Sequence, residues 1–109
     1  VPATQSQTLG FGTTANISSA VYDSTTPGVT MDYTIVRGTE VRRGVLKIAQ
    51  LNSELSYDEE YNETSDIGVT FTVSQIGSSY AQVIATTSNV GAVAGIDANL
   101  KYTSSTFTF

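Results

Sequence analysis

Cysteine and histidine are both absent from the 109-residue chain, and basic residues are few. Without these residue types the chain has no thiol nucleophile, no imidazole base and none of the usual zinc ligand sets. Most enzyme classes are therefore disfavoured, and we expect a protein that is not an enzyme. The 5 Lys and Arg residues stand against 10 Asp and Glu residues, which gives a net charge of −5. This acidic balance argues against a nucleic acid or an anionic membrane as the partner.

Long apolar runs are also missing, since none approaches the roughly 20 residues that cross a bilayer. A chain of 109 residues is nevertheless long enough to bury roughly two-thirds of its unfolded surface as one domain without disulfides. Thr, Ser and Gly are abundant, and this composition is typical of extracellular and virion β-proteins. We therefore expect one domain with its own core.

Alternation of apolar and polar residues predicts a series of short β-strands. In Gly28–Arg37 every second residue is apolar, and Leu46 and Ile48 continue the pattern after a short loop at Gly38. Strict alternation places one set of side chains on the core face of a half-buried strand. Six to eight such strands predict an all-β fold, an antiparallel β-sandwich or small barrel. The core-facing residues expected downstream are Val69, Phe71, Val73, Ala81, Val83, Ala85, Ile96, Ala98, Leu100, Tyr102, Phe107 and Phe109.

Two interpretations remain open for the segment that follows Ile48. Apolar residues around Leu51 have a helix-compatible spacing, so a short helix over residues 49–61 is one of them. We favour a strand that ends at Leu51, a turn at residues 52–53 and a further strand whose Leu55 and Tyr57 face the core. The acidic residues that come next leave no apolar stripe for a helix to bury.

The two ends of the chain are expected to differ in role. Residues 1–7 are polar and lack apolar alternation, so we predict a single domain over residues 1–109 with a loose N-terminal arm. This arm would rest on a neighbouring subunit. Residues 105–109 should pair as a strand, because Phe107 and Phe109 share a face and one buried Phe contributes roughly 2–3 kcal/mol.

Half of the acidic residues lie within nine consecutive positions. Asp58, Glu60 and Glu63 among them are candidate ligands for Ca²⁺, which binds several oxygen atoms from one flexible segment. Their spacing matches no EF-hand loop, so we favour a solvated strand edge whose like charges oppose sheet aggregation, and we expect no cofactor. Asp58 or Glu60 could also act with Asp32 or Glu40 in glycoside hydrolysis, but a sandwich of this size seldom has the cleft that this reaction needs.

Three of the basic residues, Arg37, Arg42 and Arg43, flank one predicted hairpin loop. Such a cluster could bind a carboxylate of a neighbouring subunit or of a glycan. The alternative, which we favour, is pairing within the chain with Glu40 and Asp32. The scattered tyrosines could likewise form a platform on which a sugar stacks, although Tyr on a strand is normally half-buried packing.

Several motifs from Asp32 onward resemble those of tailed-bacteriophage virion proteins. Residues 32–39 and then 41–48 resemble their Y-x-I-x-R-G strand followed by an R-x-G-x-L-x-I strand. Residues 57–64, followed by 68–71, look like their D-E-Y-x-E-T-G and G-V-x-F stretch, and residues 99–103 are similar to their terminal strand. The resemblance covers about 75 of the 109 residues.

This resemblance implies a β-sandwich domain of a virion structural protein, from a tail fibre, a head fibre or a capsid decoration. It implies a location in the extracellular particle and other virion proteins as partners. By analogy it also implies a homo-oligomer, with a trimer as the first expectation, and a host-surface glycan as a further partner. It brings no catalytic residues. The alternatives are an extracellular adhesin or pilus-type subunit, and a carbohydrate-binding module with a planar row of aromatic side chains.

Overall fold

The computed structural model describes residues 4–23, 26–51, 54–76 and 80–107. This part of the chain consists of β-strands and one 3₁₀ turn, and the predicted all-β antiparallel sandwich is confirmed. The helix considered over residues 49–61 is not formed, because residues 49–51 and residues 54–61 belong to two neighbouring strands. No helix among the described residues is long and apolar enough to cross a membrane. The strands are β1 (Gln5–Leu9), β2 (Thr13–Asp23), β3 (Gly28–Arg37), β4 (Glu40–Leu51), β5 (Glu54–Glu63), β6 (Val69–Ile76), β7 (Tyr80–Thr87) and β8 (Ala98–Phe107), with the 3₁₀ turn at Gly91–Val93.

The strands form a wide sheet and a narrow sheet that face each other across the core. The wide sheet has the order β1-β8-β3-β4-β5, and the narrow sheet has the order β2-β7-β6. The Gln7 side chain on β1 donates to the Asn16 carbonyl on β2 at 2.9 Å, so β1 and β2 lie on the same side of the sandwich. On the other side, the rings of Tyr33 on β3 and Phe71 on β6 meet edge to face at 5.0 Å between centroids. The two sheets therefore run in the same lateral order, and β6 lies over β3 and β4.

One continuous core fills the space between the sheets, and it follows the predicted alternation. Burial of each large apolar side chain contributes roughly 1.5–3 kcal/mol, so these positions hold the two sheets together. Among the predicted core residues, those of β6 and β7 are buried, as are Ala98, Leu100 and Tyr102 of β8. The remaining members are Leu9, Ile17, Ala20, Tyr22, Val29, Met31, Tyr33, Ile35, Leu46, Ile48 and Ile67.

The predicted N-terminal arm is wrong for residues 5–7. They belong to β1, which pairs with β8 from Gln5 opposite Tyr102 to Leu9 opposite Ala98. Backbone pairing and the buried Leu9 hold this edge strand in place. Its other side chains are polar, so apolar alternation could not predict it. Residues 1–3 lie outside the described part of the chain.

The C-terminal strand is confirmed up to Phe107, but the burial expected there is wrong. β8 runs on to pair Phe107 with Gly28 at the end of β3, and the Phe107 side chain is 65% exposed. This pair lies at the end of the wide sheet, where Phe107 is not part of the core. Ile96 precedes β8 and is exposed. Phe109 and the turn expected at residues 52–53 lie outside the described residues.

Candidate functional site

The first of the three predicted binding arginines, Arg37, is fully buried at the end of β3. Its Nε donates to the Ile96 carbonyl at 2.8 Å and its Nη1 to the Ile67 carbonyl at 2.8 Å. Its Nη2 donates to the carbonyls of Ser88 at 2.6 Å and Val93 at 3.0 Å. Arg37 therefore joins the two connections that lead into β6 and β8, and it donates four hydrogen bonds within the fold.

The second arginine, Arg42 on β4, is also buried. Its Nε donates to Glu63 at 2.9 Å, and its Nη1 lies 3.7 Å from a Glu59 carboxylate oxygen. The same Nη1 donates to the Val69 carbonyl of β6 at 2.8 Å. The guanidinium lies 4.2 Å from the centre of the Tyr61 ring, a cation–π contact. Arg42, on β4, thus joins its neighbour β5 to the first residue of β6, an edge strand of the narrow sheet.

The third arginine, Arg43, points to the outer face, where more than half of its side chain is exposed, and forms an ion pair with Asp32. The predicted pairing within the chain is confirmed for these two residues. Glu40 has a different partner from the one expected, because it accepts a hydrogen bond from the Thr64 hydroxyl. Hydrogen bonds from Thr64 and then Ser65 lower the pKa of the Glu40 carboxyl. The three arginines therefore occupy three separate environments.

Tyr33 and Glu59 are joined across the intervening strand by a hydrogen bond from the Tyr33 hydroxyl. The Tyr33 side chain passes over Gly44 of β4 to reach β5. A Cβ atom at Gly44 would lie 2.6 Å from the Tyr33 hydroxyl oxygen and 2.7 Å from Cβ of Tyr61. Glycine is therefore required at this point of β4, where another side chain lies directly above the backbone.

Burial and charge shift the pKa values of two groups in this cluster. Burial raises the pKa of Tyr33, and the hydrogen bond to the Glu59 carboxylate raises it further. Burial alone lowers the pKa of Arg42, but the hydrogen bond to Glu63 and the neighbouring Tyr33 and Glu59 outweigh it, so that this pKa is raised. Both groups hold their protons more tightly than in water, which suits a structural network.

The acidic residues proposed as calcium ligands lie on opposite faces of β5. Asp58 is opposite Lys47 and Glu60 is opposite Val45, both on the outer face, whereas Glu63 is opposite Arg42 on the inner face. Glu60 lies 3.8 Å from the Lys47 ammonium group. The three carboxylates therefore do not converge, and the described residues contain no group of three His, Cys, Asp or Glu side chains that could hold a metal ion.

A further feature, which was not predicted from the sequence, is the inner face of β5. Residues directly opposite each other in a sheet share a face, and the inner-face residues of β4 lie opposite the odd-numbered residues of β5. Tyr57 is therefore on the core side, as predicted, yet its side chain is 42% exposed and that of Tyr61 is 46% exposed. No described strand of the narrow sheet lies above them. We call this surface the inner strip of β5, and it consists of Leu55, Tyr57, Glu59, Tyr61 and Glu63.

An open cavity of about 330 Å³ lies between the inner strip and the start of β6. Glu59 and Tyr61 line it on one side, and Gly68, Val69 and Thr70 line it on the other. β6 itself has no charged residue over its whole length, Val69–Ile76. The candidate functional surface is thus the edge of β6 together with the neighbouring inner strip.

Comparisons of the chain with protein-family models, with curated proteins and with solved structures find no match.

Proposed function

We propose that the chain is a non-enzymatic structural protein of a tailed-bacteriophage particle that acts through contacts between subunits. Capsid decoration, a head fibre and a tail fibre are the three roles that the sequence resemblance implies. Several residues of the resembling motifs hold this fold together. Arg42 connects the two sheets, Arg37 joins the connections that lead into β6 and β8, and Gly44 makes room for the Tyr33 side chain.

The observation that carries the proposal is the open edge of β6. An edge strand presents unpaired N–H and C=O groups, and folded proteins usually protect such an edge with charges, irregularities or short length. β5 has five acidic residues, β2 has a register shift between Asn16 and Val21, and β1 has only 5 residues. β6, with 8 uncharged residues, has none of these protections. Strand pairing with another chain is therefore the interaction to which this surface is best suited.

A carbohydrate-binding module is the second candidate function, because Tyr57 and Tyr61 share one face of β5 and are both half-exposed. Two aromatic rings on one face could stack on a sugar chain. This function predicts a monomer with measurable affinity for oligosaccharides, whereas the structural function predicts an assembly.

The composition of purified particles tests the proposal. Quantitative mass spectrometry should detect the chain in density-purified particles of the phage that encodes it, in a constant ratio to the major capsid protein. A single ratio across preparations is expected for a structural component. Presence of the chain only in the soluble part of the lysate would contradict the proposal, and binding of that soluble form to oligosaccharides would favour the second candidate.

A further inference from the structure

The free backbone groups at the β5 edge belong to the inner strip. Thr64 N–H donates to the Val41 carbonyl at 3.0 Å, which makes this a hydrogen-bonded pair of the antiparallel β4–β5 ladder. Such pairs alternate with pairs that do not bond each other. The N–H and C=O groups of Tyr57, Glu59 and Tyr61 therefore point away from β4, towards the open edge.

The free backbone groups at the β6 edge also belong to inner-face residues. Ser88 N–H donates to the Gly68 carbonyl at 2.9 Å, so the same alternation directs the groups of Phe71, Val73 and Gln75 away from β7. The Val69 carbonyl, which points the same way, already accepts from Arg42. Phe71 and Val73 are buried on the core side. Both open edges thus offer backbone groups from residues of the same, inner face.

Two symmetric ways of joining these edges are unfavourable. Pairing β5 with β5 of a second copy would place five acidic residues of each strand side by side, where like charges repel. Pairing β6 with β6 needs a two-fold axis perpendicular to the sheets. In each copy β5 of the wide sheet extends beyond the edge of β6. The wide sheets of the two copies would therefore overlap and clash.

Pairing β5 of one copy with β6 of the other avoids both problems. β5 ends at Glu63 and β6 begins at Val69, and both residues contact Arg42, so β5 and β6 run in opposite directions. A two-fold axis between the layers and parallel to the strands therefore makes both new pairings antiparallel. In each layer, β5 of one wide sheet would meet β6 of the other copy's narrow sheet.

We propose that the inner strip of β5 and the edge of β6 form a homodimer interface with a second copy of this chain. Each layer then becomes one continuous sheet, made from the five strands of one copy's wide sheet and the three strands of the other copy's narrow sheet. The inference rests on the proposed assembly function for its biological role. It departs from the trimer that the sequence resemblance suggests.

The contacts across the sandwich also fix the register of the new pairing. Tyr33 lies opposite Gly44, which lies opposite Tyr61, and the Tyr33 ring contacts Phe71. Tyr61 and Phe71 are therefore at about the same height along the strands, and a two-fold axis parallel to the strands preserves height. In the dimer Tyr61 pairs with Phe71 of the second copy, Glu59 with Val73 and Tyr57 with Gln75.

Charge and burial are both compatible with this interface. The acidic β5 meets the uncharged β6, so no like charges lie opposite each other within the new ladders. Glu59 and Glu63 of the inner strip have Arg42 of their own copy as a partner. Tyr57 and Tyr61 of both copies, which are half-exposed in one copy, become covered between the two layers.

Sedimentation velocity and native mass spectrometry of the 109-residue chain should show a dimer. Gln75→Pro removes an edge N–H that β7 does not use, which an open edge tolerates, and each substitution acts twice by symmetry. We expect Gln75→Pro to raise the dimer dissociation constant by ~10-fold or more, and Gln75→Ala, which keeps the N–H, to leave it nearly unchanged. Tyr57→Ser should also weaken the dimer, whereas Tyr80→Ser, at a side chain with 47% exposure on the outer face of β7, should not.

Hydrogen exchange of the unmodified chain identifies the edges without any variant. The amides of Phe71, Val73 and Gln75, and those of Tyr57 and Glu59, should exchange more slowly at concentrations where the dimer forms. A monomer at ~1 mM, a trimer, or a dimer in which these amides exchange as fast as in the monomer would overturn the proposal. Slower exchange caused instead by cellohexaose or chitohexaose would assign the strip to a glycan. If the chain is found in particles but forms no dimer, this inference alone is overturned. If the chain forms the dimer but is absent from particles, only the proposed function is overturned.

Discussion

Replacement of Arg37 by Met should destabilise the fold strongly, although no carboxylate is among the hydrogen-bond partners of Arg37. Its guanidinium is the donor for four main-chain carbonyls, of which those of Ile67 and Val93 are in buried hydrogen bonds and those of Ser88 and Ile96 are in partly buried ones. Arg37→Met keeps an unbranched side chain of similar length but removes every donor. The connections that lead into β6 and β8 then lose their common partner.

The magnitude follows from two opposing effects. Each buried carbonyl left without a donor costs about 1–3 kcal/mol, while a carbonyl that water can reach costs less. Removal of a buried cation returns part of its desolvation penalty. We therefore expect Arg37→Met to lower the free energy of unfolding by about 2–4 kcal/mol, out of the roughly 5–15 kcal/mol that is usual for a domain. Arg37→Lys keeps the charge but not the planar set of donors, so about half of that loss is expected.

Urea unfolding measures the difference in the free energy of unfolding between each variant and the unmodified chain. We follow it by far-ultraviolet circular dichroism because the chain contains no Trp to serve as a fluorescence probe. Arg43→Met is the matched control. Its ion pair with Asp32 is largely exposed, so we expect a change below about 0.5 kcal/mol. If Arg37→Met and Arg43→Met changed the free energy of unfolding equally, or if Arg37→Met were neutral, the role assigned to the four carbonyl contacts would be refuted.

Three further predictions concern β4, the alkaline limit of stability and metal binding. Gly44→Ala should lower the free energy of unfolding, measured with urea, by about 2–3 kcal/mol, because the added Cβ would lie 2.6 Å from the Tyr33 hydroxyl oxygen. An unchanged unfolding midpoint would contradict this packing. The pKa of Tyr33 is raised in the folded chain, so the stabilisation that depends on the protonated Tyr33 hydroxyl is fully present below the usual Tyr pKa of about 10 and is lost as the pH rises above that value. In a pH series of melting temperatures, Tyr33→Phe should therefore show a shallower alkaline decline than the unmodified chain. An equally steep decline in the variant would contradict this role of Tyr33. EDTA should leave the melting temperature unchanged, whereas a drop of several degrees that Asp58→Asn with Glu60→Gln reproduced would reveal a calcium site.

Apolar alternation predicted most of the fold because the sandwich buries one face of each strand. The pattern in Gly28–Arg37 is confirmed residue by residue, since β3 is a central strand covered by the narrow sheet. The same rule failed for Phe107, which lies at the end of β8 and is exposed. It also missed β1, whose polar residues 5–7 are held by backbone pairing. Alternation indicates which side chains share a face, but it does not indicate whether a second layer covers that face.

The candidate site could not be predicted for the same reason. Tyr57 was correctly placed on the core side, but its exposure depends on a five-stranded sheet facing a three-stranded one. Arg37 and Arg42 are close in sequence to Arg43, and charge alone does not separate two buried arginines from one exposed one. Their difference arises from strand position, because Arg37 and Arg42 lie on the inner face and Arg43 on the outer face.

A cryo-electron microscopy reconstruction of the purified particle would show whether the chain is a particle component that assembles through its sheet edges. We expect pairs of this domain in which β5 of one copy continues into β6 of the other, so that two sheets of eight strands run through each pair. A particle without the domain, or one in which the domain is present with the edge of β6 open to solvent, would contradict it.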